Sequence, residues 1–236
     1  MQISTFLKNK HLQFFICFGG VLLSDALLSQ YQMQEWRYLS KPLIMASLIG
    51  YFWRHKKQLS KPLFQLGMSA LFLSLAGDIF LMFQSDHSGF FIGGLASFLL
   101  AHVCYVLLFV RQRNRTQKIQ WVSLILLINY AFVIGYLVLG HAGDLKPAIV
   151  LYILVITAMA YSSLMRKGTM TATAYGSGVV GARLFLASDS LLALSMFREG
   201  FPEVGFLVMI TYGLAQAMIV YSLVHSEQKE LSKYSL

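Results

Sequence analysis

The chain has 236 residues, of which 57% are apolar and 12% charged, with a mean hydropathy of +0.63. A soluble domain needs roughly twice that charged fraction to cover its surface, so a soluble globular protein is excluded. The formal net charge of +9 would suit a nucleic-acid partner in a soluble chain, but the basic residues lie in short loops between apolar runs, where they act as a topology signal, and no nucleic acid is expected.

Apolar runs of about 18 or more residues, the span of a hydrocarbon core, recur along the length. They predict eight transmembrane helices at roughly 12–30, 38–53, 62–83, 89–110, 119–139, 147–165, 174–197 and 203–225. The expected fold is all-α: one polytopic helical domain over 1–236. The first run follows a basic stretch, Lys8 to His11, in the manner of a signal peptide. It contains Asp25 and no clean small-residue cleavage site follows, so it reads as a retained first helix. The second run is short and the weakest. Lys41 and Pro42 open it, with Pro at a first helical position; Lys41 serves there as an interfacial anchor or meets a lipid phosphate. The third carries Asp78 within "SLAGDIFLM". The fourth holds His102, the one His well inside a run, and Tyr105 three residues on, which shares its face. A buried His of this kind is a hydrogen-bonded core residue or a ligand. The fifth and sixth carry Tyr130, Tyr136, Tyr152 and Tyr161, and the eighth Tyr212; all read mostly as packing groups. The seventh holds Arg183, Ser188 and Asp189 in "GARLFLASDSLLAL". Six residues rotate a helix by about 240°, so Arg183 and Asp189 point to different faces. Cys17 and Cys104 both lie inside apolar runs, which argues against a disulfide framework.

Orientation follows from Lys and Arg. The N-terminus, the second, fourth and sixth loops and the C-terminal tail hold 14 of the 19, Lys8, Lys229 and Lys233 among them; the opposite side holds Arg37, Lys41, Lys146 and Arg198. Both termini are therefore expected in the cytoplasm, and eight spans agree. "SLAGDIFLM" and "FLASDSLLAL" also resemble one another, each with Asp after a small residue. Two four-helix halves related as a parallel repeat would produce this.

Ionisable groups at membrane depth are costly unless paired or facing a wet cavity. Asp25, Asp78 and Asp189 fall about 5, 5 and 8 residues from the outer ends of their helices, roughly 8–12 Å deep. Three acids at one depth can converge on one cavity; each can equally be a local feature near an interface, Asp25 most of all. Gly77 and Ser188 beside the other two permit close helix contact. A single membrane His with two or three Asp is a thin set for zinc, so no metal is expected. No G-x-S-x-G elbow and no phosphate-cradling loop is present. Two carboxyls in a dry cavity suit acid–base catalysis: desolvation favours the neutral form and a neighbouring carboxylate adds to it, so one member can donate while the other stays ionised. The same groups would serve proton-coupled transport of a small solute or lipid, and residue types alone do not separate the two. An accessory membrane protein is a third reading.

"SKPL" opening the second span, "GDIFLM" ending the third, "GLASFLLAHVCYVLLF" in the fourth and "GARLFLASDSLLAL" in the seventh, in that order, resemble the YhhN-type family of membrane lysoplasmalogenases. The resemblance implies hydrolysis of the vinyl ether bond of a lysoplasmalogen, a lysophospholipid, to a fatty aldehyde and glycerophosphoethanolamine or glycerophosphocholine, without an organic cofactor. Asp78 and Asp189 match the family's acidic positions; Lys41, His102 and Tyr105 match further polar ones. On this reading one of Asp78 and Asp189 is the general acid and the other stabilises the cation and steers water. His102 hydrogen-bonds within the group or relays a proton, Lys41 holds the substrate phosphate, and Ser188, Tyr105 and Asp25 support. Membrane lipids surround the chain, and a bacterial inner membrane is the expected location.

Overall fold

The structure, a computed structural model, describes residues 10–198 and 204–226. Lys8, Lys229 and Lys233, three of the basic residues that set the expected orientation, lie outside the described residues. Within them the regular structure is helical: α1 (Lys10–Gln30), α2 (Gln34–Arg54), α3 (Lys61–Met82), α4 (Ser88–Arg111), α5 (Trp121–Leu139), α6 (Lys146–Leu164), α7 (Ala172–Phe197) and α8 (Gly205–Val224). Single 3-10 turns at Lys56–Gln58 and Gly143–Leu145 precede α3 and α6. Seven of these helices are long and apolar enough to cross a membrane. The molecule is an integral, multi-pass helical bundle.

The exception is α2, and it corrects the expected start of the second span. The helix begins at Gln34, and Pro42 lies inside it. Hydropathy misses the first two turns because Glu35, Arg37 and Lys41 are charged. Pro42 lacks the N–H that would reach back four residues, yet the helix continues through it. Elsewhere the start signals hold. Lys-Pro opens both α3 and α6, with Pro in the first turn. Thr171 caps α7 by accepting from the Ala174 N–H at 3.3 Å, which satisfies one otherwise unpaired first-turn donor.

Two neighbouring pairs, α3 with α4 and α7 with α8, make the most extensive contacts. Glycines allow both. A Cβ on Gly181 would lie 2.9 Å from the Ala215 carbonyl oxygen and from Ile219 Cγ1 of α8. A Cβ on Gly77 would lie 2.6 Å from the Phe98 ring, and one on Gly94 would lie 2.7 Å from Leu81 Cδ2. Hydrocarbon solvates Leu as well as a neighbouring helix does, so membrane helices associate through such close approaches. Helix α8 is the most enclosed and α5 the most peripheral.

The two ends of the described chain meet. The His11 ring of α1 lies 5.3 Å from His225 after α8 and 5.2 Å from His55 after α2. The α4–α5 loop is tied to the end of α6: Asn114 N–H donates to the Met165 carbonyl at 2.7 Å, and Gln117 Nε2 to that of Leu164 at 3.2 Å. Although consecutive in sequence, α4 and α5 barely touch.

Candidate active site

Helical periodicity brings the polar groups inward. Gln34, Arg37, Tyr38 and Lys41 of α2 recur every three or four residues, as do Ser74, Asp78 and Leu81 of α3, Phe98, His102 and Tyr105 of α4, and Tyr212 and Gln216 of α8. Each set forms one face. At the end of the bundle opposite Lys10 and Ser226, residues of α2, α3, α4, α7 and α8 line a cavity of about 370 Å³. Its wall includes Arg37, Lys41, Asp78, Ser188, Asp189, Ser195 and Tyr212.

The two carboxyls of the third and seventh helices both line this cavity, each with its own partners. Asp78 is 2% exposed. Its Oδ2 accepts from the Tyr212 hydroxyl at 2.7 Å, and its Oδ1 faces Lys41 Nζ at 3.5 Å. A buried carboxylate held this way has a cationic counter-ion and a neutral donor, which offsets its loss of water. Among the described residues no Lys or Arg forms an ion pair with Asp189. Its Oδ2 accepts from Tyr152 at 2.5 Å and meets His102 Nε2 at 2.9 Å; His102 Nε2 and the Tyr152 oxygen are 3.0 Å apart. His102 is fully buried, edge-on to Phe185 at 4.6 Å, and its Nδ1 has no partner.

The remaining candidates take other places. Asp25 is buried beside the cavity rather than in its wall; it accepts from Ser40 at 2.5 Å and lies 3.7 Å from Arg37 Nε. Tyr105 donates to Gln216 Oε1 at 2.6 Å, and Gln216 Nε2 donates to Ser74 at 3.0 Å, in a buried network behind Tyr212. Ser188 lines the cavity but its hydroxyl donates to the Val208 carbonyl at 3.0 Å, which joins α7 to α8. Arg183 is exposed on the outside of the bundle. Tyr152 and Tyr212, read from sequence as packing groups, donate to the two carboxyls instead. Gln216, four residues after Tyr212 on the same face, is the signal that an inward polar stripe runs along α8.

A second cleft, of about 70 Å³, lies between α4, α5, α6 and α7. Its wall is almost wholly apolar, with Leu95, Ile134, Ile153, Ile156 and Ala193 among its residues. Four residues belong to both walls: Leu81, Phe98, Asp189 and Leu192. Asp189 therefore stands where a polar cavity and an apolar cleft meet. This arrangement can hold an amphiphile with its polar end on one side of a carboxyl and its chain on the other.

The family model of the YhhN family matches residues 36–223. The chain is 31% identical over 196 residues to human "Lysoplasmalogenase TMEM86B", covering 83% of this chain and 78% of that protein. It is 32% identical to the pig protein of the same name, over 66% of this chain and 62% of the relative. With bovine "Lysoplasmalogenase TMEM86A" the identity is 27%, over 67% and 65%. No solved structure matches the chain. The match from the middle of the first turns of α2 to the end of α8, with every cavity-lining helix but α1 inside it, makes this chain a member of the YhhN family.

Proposed function

We propose that the protein is an intramembrane hydrolase that cleaves the vinyl ether bond of lysoplasmalogens by carboxyl acid–base catalysis. The observation that carries this reading is the position of Asp189 in both walls, polar and apolar. The names of the relatives support the substrate class. The glycerophospho head group occupies the polar cavity, with its phosphate toward Lys41 and Arg37. The alkenyl chain occupies the apolar cleft. The cleft takes the part of the chain next to the vinyl ether. The rest lies in the hydrocarbon along the open α4–α5 seam, the route by which the lipid enters sideways. The basic loops favour a cytoplasmic face for the termini, so the cavity opens on the opposite side.

The chemistry follows from the two carboxyl environments. Asp189, which pairs with no Lys or Arg among the described residues, carries the proton and delivers it to the alkene carbon remote from the ether oxygen. Tyr152 and His102 hold Oδ2 and leave Oδ1 toward the substrate. The alkene becomes an oxocarbenium ion. Asp78, ionised beside Lys41, stabilises that cation and takes a proton from the water that attacks it. The hemiacetal then collapses: its hydroxyl proton returns to Asp189, its C–O bond breaks, and Asp78 protonates the leaving alcohol. One water is consumed, and an aldehyde and a glycerophospho-alcohol leave.

Asp78→Asn and Asp189→Asn test this directly. Each is expected to abolish aldehyde release by purified protein while the helical content and melting behaviour in detergent stay near wild type. Wild-type turnover in either variant would remove that residue from the mechanism. Proton-coupled transport by the same carboxyls would give no aldehyde from the wild-type protein at all.

A further inference from the structure

We propose that Leu81, Phe98 and Leu192 form a neck that admits one hydrocarbon chain, and that this neck makes the enzyme choose lysolipids over lipids with two chains. The inference rests on the lysoplasmalogen reading and goes beyond it by naming the residues that set specificity. These three apolar side chains and Asp189 are the whole of the shared wall between the cavity and the cleft. A substrate with its head in one and its chain in the other has to cross between them, beside the carboxyl.

Two of the three are seated by glycines on the facing helix. Phe98 of α4 lies on Gly77 of α3, where a Cβ would come within 2.6 Å of the ring. Leu81 of α3 lies on Gly94 of α4, where a Cβ would come within 2.7 Å of Cδ2. The reciprocal notches fix both side chains in position, so the α3–α4 contact holds one side of the neck, which Leu192 of α7 completes. Interiors packed at this density do not open to fit an extra chain.

The consequence falls on the sn-2 position of glycerol. With the sn-1 chain through the neck, the glycerol carbons stay on the polar side. A free sn-2 hydroxyl is at home there. An acyl chain at sn-2 would have to share the neck or lie against Arg37, Lys41 and Asp78, where methylenes strip water from charged groups.

The test compares aldehyde release from a lysoplasmalogen and from a plasmalogen of the same alkenyl chain bearing an sn-2 acyl group, both in mixed detergent micelles. Wild-type protein is expected to favour the lysolipid by about 100-fold, and Leu81→Ala or Phe98→Ala to narrow that preference by about tenfold, the scale on which pockets discriminate by removed methylenes. Leu192→Ala, which lies outside the glycine notches, is the second variant if loss of Phe98 unfolds the α3–α4 pair, and it is expected to narrow the preference likewise. Folded, active neck variants with the wild-type ratio would overturn the neck. A wild-type enzyme with equal rates on both lipids would overturn it as well. Folded wild-type protein that releases aldehyde from neither lipid would instead overturn the hydrolase reading on which the neck depends.

Discussion

At the scale of single residues, the two carboxyls differ by what faces them. Asp78 has an ammonium 3.5 Å away and a phenol at 2.7 Å. Asp189 has a phenol and an imidazole, both on one oxygen. In the proposed mechanism Tyr152 positions Asp189, and Tyr152→Phe is expected to lower kcat for aldehyde release by about tenfold, the worth of one hydrogen bond. Tyr130→Phe, in the same cleft with no carboxyl partner, is expected to stay within about twofold. Equal losses in both would show that the cleft needs phenol rings rather than the Asp189 contact. Asp78, Asp189 and His102 are legible in the sequence because a polar group within an apolar run stands out. Tyr152 and Tyr212 are not, because a phenol packs or donates according to what faces it, and that is a tertiary fact. Arg166 is hidden for another reason. It sits in a basic loop and counts there as a topology signal, yet it is fully buried, donates to Ser222 at 3.1 Å and lies 4.7 Å over the Phe109 ring. Burial pulls this guanidinium below the ordinary arginine range.

At the scale of helices, close glycine contacts hold the walls of the site in register. Gly181 faces backbone of α8, which cannot move aside for an added side chain: the Ala215 carbonyl lies 2.9 Å and the Ile219 nitrogen 3.0 Å from the Cβ position. Gly181→Val is expected to destabilise the bundle by about 1–3 kcal/mol through overpacking. Gly50 has nothing within 4 Å of its Cβ position, and Gly50→Ala is expected to be neutral or to stabilise by up to about 1 kcal/mol, the helix preference for Ala. Thermal unfolding in one detergent checks both; equal shifts would contradict a special role for the α7–α8 contact. All eight helices are legible as apolar runs, seven of them long and apolar enough to cross a membrane. The first turns of α2 are not, because Arg37 and Lys41 face the cavity. The residues that hide these turns from hydropathy are the ones that line the cavity.

At the scale of the whole molecule, the partners of the two carboxyls come from helices four apart in order. Asp78 on α3 meets Lys41 of α2 and Tyr212 of α8; Asp189 on α7 meets Tyr152 of α6 and His102 of α4. Counted around the chain, each of these helices is the other's counterpart, as is the α3–α4 pair of α7–α8. The chemistry is not symmetric. One site carries a cation where the other carries a phenol, and only Asp189 reaches the apolar cleft. The proposed division of labour between donor and ionised partner rests on that difference.

The most direct measurement incubates purified protein in D2O with a lysoplasmalogen and, in parallel, with its saturated ether analogue, and looks for fatty aldehyde by mass spectrometry. The account predicts aldehyde from the vinyl ether alone, carrying one deuterium on the carbon next to the carbonyl, where the acid delivers its proton. No aldehyde from folded protein, or aldehyde without that deuterium, would contradict it.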